Sequence, residues 1–589
     1  MNNDYLLSMR HSCEHVLHQA LIKLFPQIIP AMGPATAEGF YIDFDPRKIK
    51  ISEEDFTKIE REMKKIIDAN LPIKKKEITV KEAREIFKDN PYKLEWLDQI
   101  EKKGQPVIIY YTGKDFYDLC SGPHLSSTGQ IGPFKLLSVA GAYWHGDEKN
   151  KMLTRIYGTC FPSQKELNDY LKLIEEAKKR DHRKLGKELD LFVFSDLVGK
   201  GLPMLTAKGA TIKRILERFI VDEEIKRGYQ HVYTPYLAKV DLYRTSGHYP
   251  YYKDIMYPPM IVDKEELILR PMTCPHHFEL FKSRPRSYQE MPIRYAEISP
   301  QFRYEKSGEL TGLIRTRLFM LADAHIITPL NQAKEEIIKV LNLIDFVNQA
   351  LGLKKQSDYR YRLSLGNRKD SQKYYKDDPA WDKAENILRE VLKKISANFY
   401  EAPNEAAFYG PKIDVQLKNV LGKEETAFTV QYDFVMPKRF KLRFINQKGE
   451  EEEPVVIHRS SIGCLERTIA FLIEKYAGAF PLWLSPIQVA VLPISDKYFS
   501  YSHLIFEQLL KNNLRAEINT NNDTLGKKIR QSTLQKIPYM IIIGEKEYKK
   551  YQVDRSYYVS VRTREGKDLG MINLYEFIQN LKKQIETFL

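Results

Sequence analysis

The sequence predicts a multidomain α+β protein. At 589 residues, 43% of them hydrophobic, the chain has room for roughly three or four packed domains. Apolar residues recur at helical spacing in RHSCEHVLHQALIKLF (10–25), whereas FYGPKIDVQL (408–417) and TVQYDF (429–434) alternate as strands do. From residue 485 onward apolar strands alternate with amphipathic helices, which indicates a small α/β domain with a mixed sheet.

The chain carries an excess of positive charge, a net +14 at pH 7. This favours a polyanionic partner such as a nucleic acid, although a generally basic proteome gives the same excess. Five scattered cysteines do not suit a disulfide framework, and no apolar run approaches the roughly 18 residues of a membrane span. With no basic-then-apolar leader, these features predict a cytoplasmic protein without membrane contact.

The first block, residues 1–162, contains two motifs with metal-binding side chains. His11 and His15 are four residues apart and share one face of the predicted helix. Cys120 and His124 stand on either side of a Gly-Pro turn in DFYDLCSGPHL. Together the two motifs have donors that could hold a zinc ion. A charged linker helix is predicted next, over residues 163–189.

The central block, residues 190–484, contains three further candidate zinc ligands. Cys274 lies in RPMTCPHH, His325 in LADAHI and His458 in HRSSIGC. A thiolate and imidazoles are zinc ligands, and three of them leave an open position, as in catalytic sites. Their wide separation makes the spacing a weak signal by itself, since a lone Cys or His is usually part of a core or a surface.

Arginines concentrate on a predicted hairpin in the same block. Arg303 and Glu305 form an Arg-x-Glu pair, which predicts a cation and an acceptor on one face of a strand. A glycine-containing loop follows, and then Arg315 and Arg317 on a second strand-like run. So much arginine on one hairpin suits a polyphosphate, while a surface ion pair is the plainer alternative.

Two later motifs add polar groups to the predicted sheet. Tyr409, Lys412 and Gln431 are expected at sheet positions. The stretch from His458 to Glu474 predicts an extended entry, Gly463 and then a helix that carries Arg467. A glycine beside a helix start allows a ligand to approach the backbone closely.

These motifs closely resemble the threonyl-tRNA synthetases, a family of class II aminoacyl-tRNA synthetases, over essentially the whole chain. The Arg270–His325 stretch resembles motif 2 of that class, GATIKRILERFIVDEEIKRGYQHVYTPYL resembles the dimer-forming motif 1, and HRSSIGCLERTIAFLIE resembles motif 3. The resemblance implies an antiparallel catalytic sheet flanked by helices at 190–484, an α+β editing domain at 1–162 and an α/β anticodon-binding domain at 485–589. It also implies a homodimer that charges threonine tRNA.

The resemblance implies that zinc selects the amino-acid substrate. One Zn²⁺ per subunit, held by Cys274, His325 and His458, selects L-threonine through its hydroxyl and rejects isosteric valine. Serine keeps the hydroxyl and lacks one methyl, a difference of about 1–3 kcal/mol. A second, hydrolytic site is therefore needed, and the first block supplies it; the resemblance implies that this site works with an ordered water and without a required metal.

The resemblance also assigns roles to the remaining site residues. Arg303 meets the ATP α-phosphate and the substrate carboxylate, and Glu305 meets adenine. Mg²⁺ shares the charge of the β- and γ-phosphates with arginines. The other expected contacts are Arg315, Arg467 and Gln431 for ATP, Asp323, Met272, Tyr409 and Lys412 for threonine and catalysis, His11, His15, Lys93, Asp118, Cys120 and His124 for editing, and Asn522, Glu547 and Arg562 for the anticodon.

The chain departs from the family pattern at several points. Leu321 stands where glutamine is usual, His276 where glycine is common and Cys464 where serine is usual. We also expect the small domain that usually precedes the first helix to be missing, because His11 lies almost at the start. Two alternatives, a non-catalytic RNA-binding paralogue and a deacylase fused to a degenerate synthetase, require the loss of motif residues that are all present.

Overall fold

The computed structural model describes residues 3–147 and 149–588 and divides into two compact units, Met1–Glu175 and Glu176–Leu589. Within the described ranges, no helix combines the length and apolarity that a bilayer span requires. The strands of the first unit are β1 (Ile29–Met32), β2 (Phe40–Asp45), β3 (Ile73–Ile78), β4 (Val107–Thr112), β5 (Phe116–Leu119), β6 (Phe134–Tyr143) and β7 (Met152–Cys160). They form two antiparallel sheets, ordered β1-β2-β7-β6 and β3-β4-β5.

Helices cover both sheets of the first unit: α1 (Asn3–Leu24), α2 (Phe56–Asp68), α3 (Val80–Ile86) and α4 (Pro91–Lys102). Cys13, Val16 and Leu17 of α1 pack with Ile42 and Ile59 in one core. This is the apolar face that the helical spacing predicts, and it orients the histidines of α1 along a neighbouring face.

The predicted linker is two helices, α5 (Gln164–Arg180) and α6 (His182–Glu188). The break falls at Asp181, whose side chain accepts a hydrogen bond from the Arg183 N–H at 2.8 Å and caps α6. The division between the two units lies inside α5.

An eight-stranded sheet forms the centre of the second unit. Its order is Gln230–His231 (β10), Ile293–Phe302 (β14), Leu318–Thr328 (β15), Val455–Cys464 (β22), Glu424–Asp433 (β19), Lys412–Lys418 (β18), Tyr359–Ser364 (β16) and Phe399–Ala402 (β17). The interior pairs are antiparallel, as expected, and only the two edge pairs are parallel.

The two faces of this sheet differ because side chains alternate along each strand. Ala322, Ala324, Ile413 and Val430 face a core shared with helices. The other face is polar. The register of the paired strands places these side chains on it: Glu297, Ser299, Gln301, Asp323, His325, His458, Ser460, Thr429, Gln431, Lys412 and Asp414.

Helices and short strands surround the sheet. The helices are α7 (Ala207–Lys226), α8 (Val240–Ser246), α9 (His248–Tyr251), α10 (Cys274–Lys282), α11 (Ala333–Ala350), α12 (Asp378–Lys394), α13 (Met436–Phe440) and α14 (Leu465–Tyr476). The short strands are β8 (Phe192–Val193), β9 (Met204–Leu205), β11 (Leu237–Lys239), β12 (Met260–Val262), β13 (Glu265–Leu269), β20 (Phe444–Ile445) and β21 (Glu451–Glu452).

The C-terminal part of the second unit has the mixed sheet that the sequence predicts. Its strands are β23 (Val489–Pro493), β24 (Ala516–Ile518), β25 (Tyr539–Ile543), β26 (Tyr558–Thr563) and β27 (Asp568–Asn573), ordered β24-β23-β25-β26-β27. The first three are parallel and the last two pairings are antiparallel. Its helices are α15 (Phe499–Lys511), α16 (Leu525–Leu534), α17 (Glu545–Asp554) and α18 (Leu574–Glu586).

Candidate active sites

A thiol and two imidazoles meet on the polar face of the central sheet. Cys274 begins α10, while His325 on β15 and His458 on β22 are direct register partners with ring centroids 4.6 Å apart. One donor atom from each of the three lies within 4.8 Å of the others. All three side chains are buried, so residues far apart in the sequence form one compact donor set.

Hydrogen bonds orient both rings of this donor set. His458 Nε2 lies 2.7 Å from Asp433 Oδ2, and His325 Nδ1 lies 2.8 Å from His277 Nδ1. These bonds leave Nδ1 of His458 and Nε2 of His325 for a metal. An outer partner on the second nitrogen is the usual support of a metal-bound histidine, so the set fits a divalent ion.

The electrostatics of the cluster also suit a cation. Burial raises the pKa of Cys274 well above its usual range, and the nearby carboxylates of Asp323 and Asp433 add to the rise. Burial lowers the pKa of His325, with His458 and His277 adding to that effect. The His325 ring is therefore neutral and able to donate a lone pair, and a Cys274 thiolate would need a positive partner.

A buried chain of polar groups extends behind the cluster. His277 Nε2 lies 3.5 Å from Glu297 Oε2, and Arg270 donates to the other oxygen of Glu297 at 2.7 Å. Sequence reasoning assigned no role to these three residues or to Asp433. Asp433 follows Gln431 at strand spacing, so the alternation in TVQYDF contained the signal that both side chains share a face.

A cavity of about 250 Å³ adjoins the loop between β14 and β15. Arg303, Glu305, Arg315 and Arg467 line it. Arg303 lies over the Phe319 ring at 5.1 Å, and its buried Nε has no hydrogen-bond partner among the described residues. A guanidinium held this way is prepared to bind an anion.

The loop geometry corrects the predicted strand positions. β14 ends at Phe302 and β15 begins at Leu318, so the Arg-x-Glu pair and the two later arginines lie in the loop, not on strand faces. Glu305 accepts a hydrogen bond from Arg315 at 2.8 Å and not from Arg303. Arg467, on α14, donates to the Ile314 carbonyl at 3.2 Å and thus contacts the same loop.

The expected amino-acid contacts lie on or beside the polar face. Asp323, two residues before His325, is 3.4 Å from Gln301 Nε2, and burial raises its pKa. Tyr409 lies in a turn before β18, not in a strand as predicted, and its hydroxyl donates to Gln431 Oε1 at 3.1 Å. The Gln431 Nε2 amide has no partner within the described chain. Met272 packs against the same apolar cluster as Cys274.

Lys412 belongs to a buried charge network. Its Nζ lies 2.7 Å from Asp414 Oδ2, and Asp414 also accepts from Arg362, Ser364 and Thr429. These partners hold the pKa of Asp414 below its usual range although burial opposes this. The ammonium of Lys412 is therefore fixed on the polar face.

Two of the three residues that depart from the family pattern line the β14–β15 cavity. Leu321 and Cys464 are register partners there, and burial raises the pKa of Cys464 to about 12, so its thiol stays protonated. His276 is buried on α10, and neither ring nitrogen has a hydrogen-bond partner in the described structure.

The first unit contains a second cluster. Donor atoms of His11, His15, Cys120 and His124 lie within 4.8 Å of one another, and Cys120 Sγ is 3.2 Å from Nε2 of both His11 and His124. Burial raises the pKa of Cys120 to about 12 and lowers that of His124 to about 3. At neutral pH the cluster therefore presents a neutral thiol and neutral imidazoles.

A buried ion pair stands beside this cluster. Lys93 Nζ lies 2.7 Å from Asp118 Oδ1, and His18 Nδ1 lies 3.4 Å from Asp118 Oδ2. Although burial alone would raise it, Lys93 and His18 hold the pKa of Asp118 well below its usual range. His11, His15, Lys93, Asp118 and Cys120 all line one cavity of about 470 Å³. The sequence predicted these residues together, apart from His18.

The three expected anticodon contacts differ in their surroundings. Asn522 is exposed in the loop after β24. Glu547 is 5% exposed and accepts hydrogen bonds from the Gly544 N–H and the Ser560 hydroxyl. Arg562, on β26, is half-buried. Asn522 follows β24 and Glu547 follows β25. Because these strands are parallel, both residues lie toward the carboxyl ends of the strands. Arg562 pairs with Met540 of β25 and so lies farther along the sheet.

Three family models match the chain. The tRNA synthetase class II core domain (G, H, P, S and T) matches residues 259–476, and an anticodon-binding domain matches residues 488–584. The second additional domain of threonyl and alanyl tRNA synthetases matches residues 107–157. The second cluster and its cavity lie in the same unit as this third match.

Curated relatives match over nearly the whole chain. The threonine–tRNA ligase of Geobacillus sp. (strain WCH70) is 47% identical over 98% of this chain and 88% of its own length. That of Anoxybacillus flavithermus is 50% identical over 92% of this chain and 83% of its own length. A crystal structure titled as the RNA binding domain of threonyl-tRNA synthetase from Cryptosporidium parvum superposes with a TM-score of 0.64 at 34% identity, covering 69% of this chain and 98% of its own.

Proposed function

The chain belongs to the threonyl-tRNA synthetase family, and from this premise we propose which residues carry each step of its reaction. It is a threonine–tRNA ligase that activates L-threonine with ATP and transfers it to threonine tRNA. Its editing domain hydrolyses mischarged seryl-tRNA. Mg²⁺ accompanies ATP in this chemistry and shares the charge of its phosphates.

Amino-acid selection rests on zinc held by Cys274, His325 and His458. The observation that supports this most directly is the buried set of one sulfur and two nitrogens within 4.8 Å, with Asp433 and His277 on the outer nitrogens. When bound, zinc with three protein ligands keeps a position that accepts a hydroxyl or amine and discriminates against an isostere lacking it. Asp323 lies two residues from His325 on the same face, where its carboxylate would receive the substrate ammonium.

Activation is a positioning step performed by arginines. Arg303 would hold the α-phosphate and the threonine carboxylate, so that the carboxylate oxygen attacks phosphorus in line and pyrophosphate leaves. The unpartnered, buried Nε of Arg303 in the β14–β15 cavity supports this role. Arg315 and Arg467 would hold the outgoing phosphates, and Glu305, which lines the same cavity, would meet adenine.

The remaining polar groups of the central sheet would fix the orientation of the substrates. Gln431, whose Nε2 has no partner among the described residues, would donate a hydrogen bond to the nucleotide, while Tyr409, Lys412 and Met272 would enclose threonine. The hydrogen bonds of Tyr409 to Gln431 and of Lys412 to Asp414 support rigid placement of these groups. Rigid groups lose little entropy when the substrates bind.

Editing is assigned to the cavity of the first unit. Neutral His11, His15 and His124 would accept and return the protons of a water that attacks the seryl ester, and the Lys93–Asp118 pair beside them would bind the polar end of the substrate. The thiol of Cys120, held between two imidazoles, would limit the space for the extra methyl of threonine. Zinc at this cluster is the alternative, and metal analysis of the variants below separates the two.

The C-terminal domain would bind the anticodon through Asn522, Glu547 and Arg562. Asn522 and Glu547 lie toward one end of the sheet and Arg562 lies farther along it, and such polar side chains can supply the hydrogen bonds that the edges of unstacked bases require. We propose domain limits of 1–162, 163–189, 190–484 and 485–589, and each family-model match lies inside one of these ranges.

Two copies of the chain would associate through the region of α7 and β10–β13. Ile225, Tyr233 and Ile261 are 55%, 93% and 70% exposed there, which leaves large apolar side chains to cover. Sedimentation that finds only monomer at micromolar concentration would reject this dimer. Free thiols on every described cysteine suit a reducing cytoplasm as the site of action.

The zinc assignment is tested by Cys274→Ala and His458→Ala. Each variant is expected to lose its bound zinc and, with it, threonine-dependent pyrophosphate exchange, because one of three ligands is gone. Metal content is read by atomic emission and folding by circular dichroism. One zinc retained per subunit after both changes together would reject the assignment.

A further inference from the structure

The loop between β14 and β15, residues 303–317, has one fully buried apolar anchor, near its middle. Leu313 is fully buried in the main core of the second unit. Glu305 and Thr316 are 8% and 5% exposed, and the other residues of the loop, including Arg303 and Arg315 that line the cavity, are half-buried or exposed. Backbone hydrogen bonds of Tyr304 and Arg317 to residues outside the loop hold its two ends, so Leu313 governs the middle of the loop and with it Arg315.

A histidine of α6 binds this anchor. His182 is 1% exposed, and its Nε2 accepts a hydrogen bond from the Leu313 N–H at 3.2 Å. Its Nδ1 lies 2.7 Å from Glu474 Oε1 at the end of α14. Because Nε2 accepts the Leu313 N–H, the ring is the neutral tautomer that donates from Nδ1, and the Glu474 carboxylate favours that tautomer.

The neighbouring glycine shows how closely the ring approaches the loop. Gly312 has φ of +48°, and a Cβ built there would lie 2.1 Å from His182 Nε2. Any side chain at residue 312 would push the imidazole away. Asp181, His182 and Glu474 also qualify as a group of possible metal ligands, but both ring nitrogens are already used in hydrogen bonds.

We propose that His182 is a positioning residue for ATP: it holds the β14–β15 loop, through Leu313, in the conformation that presents Arg315 to the nucleotide. The inference rests on the proposed ATP site and adds a residue outside the motifs that form it. Without the ring, the buried Leu313 N–H loses its acceptor, and the loop loses its fixed position. The threonine contacts on β15 and β22 do not depend on this bond.

The test is pyrophosphate exchange by the full chain, without tRNA, with separate KM values for ATP and threonine. Glutamine can place an amide oxygen near the position of Nε2, whereas asparagine reaches only as far as Nδ1. His182→Ala and His182→Asn are therefore expected to raise the ATP KM about tenfold, the size of one lost buried hydrogen bond. His182→Gln should restore it largely, and the threonine KM should stay within about twofold in every variant.

Two further variants keep the test decisive. Gly312→Ala should displace the ring and raise the ATP KM even if His182→Ala fails to fold. Arg180→Ala removes a hydrogen bond to the Lys475 carbonyl, next to the His182–Glu474 pair, without removing a contact to the loop. This variant should leave both KM values unchanged. Equal KM values for the asparagine and glutamine variants, or parallel rises for ATP and threonine, would overturn the inference. Normal ATP affinity in Arg303→Ala would instead reject the ATP site itself.

Discussion

At the scale of single residues, the candidate metal site shows what a sequence can and cannot predict. Its three ligands were expected from motifs, and the structure brings them together. Their partners Asp433 and His277 were not expected, because they act through contacts with the ligands and not with a substrate. Nothing in the spacing of the chain reveals that β19 lies beside β22, although strand alternation did place Asp433 on the same face as Gln431.

Asp433 gives a residue-scale prediction. Its Oδ1 accepts the N–H groups of Val435 and Met436, while Oδ2 holds His458. Asp433→Asn can keep the backbone contacts through its amide oxygen but turns an NH₂ group toward His458. We expect zinc affinity to fall about 10–100-fold, as for other second-sphere changes.

Chelator competition measures this affinity. Asp358→Asn is the matched control, because it removes a carboxylate bound to Lys475 far along the chain from the ligands. An affinity equal to that of the wild type in Asp433→Asn would show that the orientation of His458 does not depend on this bond.

At the scale of elements, periodicity predicted α1 and several strands of the central sheet, but not β16 or β17, and the ends of β14 and β15 differ from the prediction. The Tyr304 N–H bonds to the Ile255 carbonyl and the Arg317 N–H to the Gly201 carbonyl. Hydrogen bonds to residues outside the sheet therefore use backbone N–H groups that the alternating pattern assigns to the pairing of β14 with β15. The break at Asp181 followed a local signal, an Asp before a helix, that was passed over.

The helix α1 carries an element-scale prediction, because His11 and His15 lie on its face toward Cys120. The double change His11→Ala, His15→Ala should leave threonine charging nearly unchanged and let seryl-tRNA accumulate with serine and ATP. The wild type should deacylate preformed seryl-tRNA without ATP, since hydrolysis needs no adenylate. His145→Ala, which removes a surface imidazole paired with Glu95, should behave as the wild type.

Clearance of seryl-tRNA at the same rate by the wild type and the double variant would assign these histidines a structural role. Zinc measured in the wild type beyond one ion per subunit, and lost in the double variant, would favour the metal alternative at this cluster.

At the scale of the whole molecule, the two proposed sites would together solve one problem of specificity. A hydroxyl-selective site separates threonine from valine but not fully from serine, which differs only by a methyl. A hydrolytic site that excludes the methyl completes the selection. Composition alone gave the positive charge that suits tRNA, and only the motifs and the matched relatives connect that charge to a particular tRNA.

Arg562 provides a prediction at this scale. Arg562→Ala should lower kcat/KM for charging threonine tRNA roughly 10–100-fold, the range for one lost base contact, while pyrophosphate exchange stays near normal. Lys567→Ala removes an exposed cation from the same hairpin and controls for charge alone. An equal fall in both activities would contradict the anticodon assignment, because activation needs no tRNA.

We propose above all that this chain selects threonine through a hydroxyl-sensing site. The decisive measurement is pyrophosphate exchange by the wild type with threonine, serine and valine. We expect threonine to be activated best, serine about 10–200-fold less efficiently and valine at least about 10⁴-fold less. Valine activated as well as serine, or no exchange with threonine, would contradict the account.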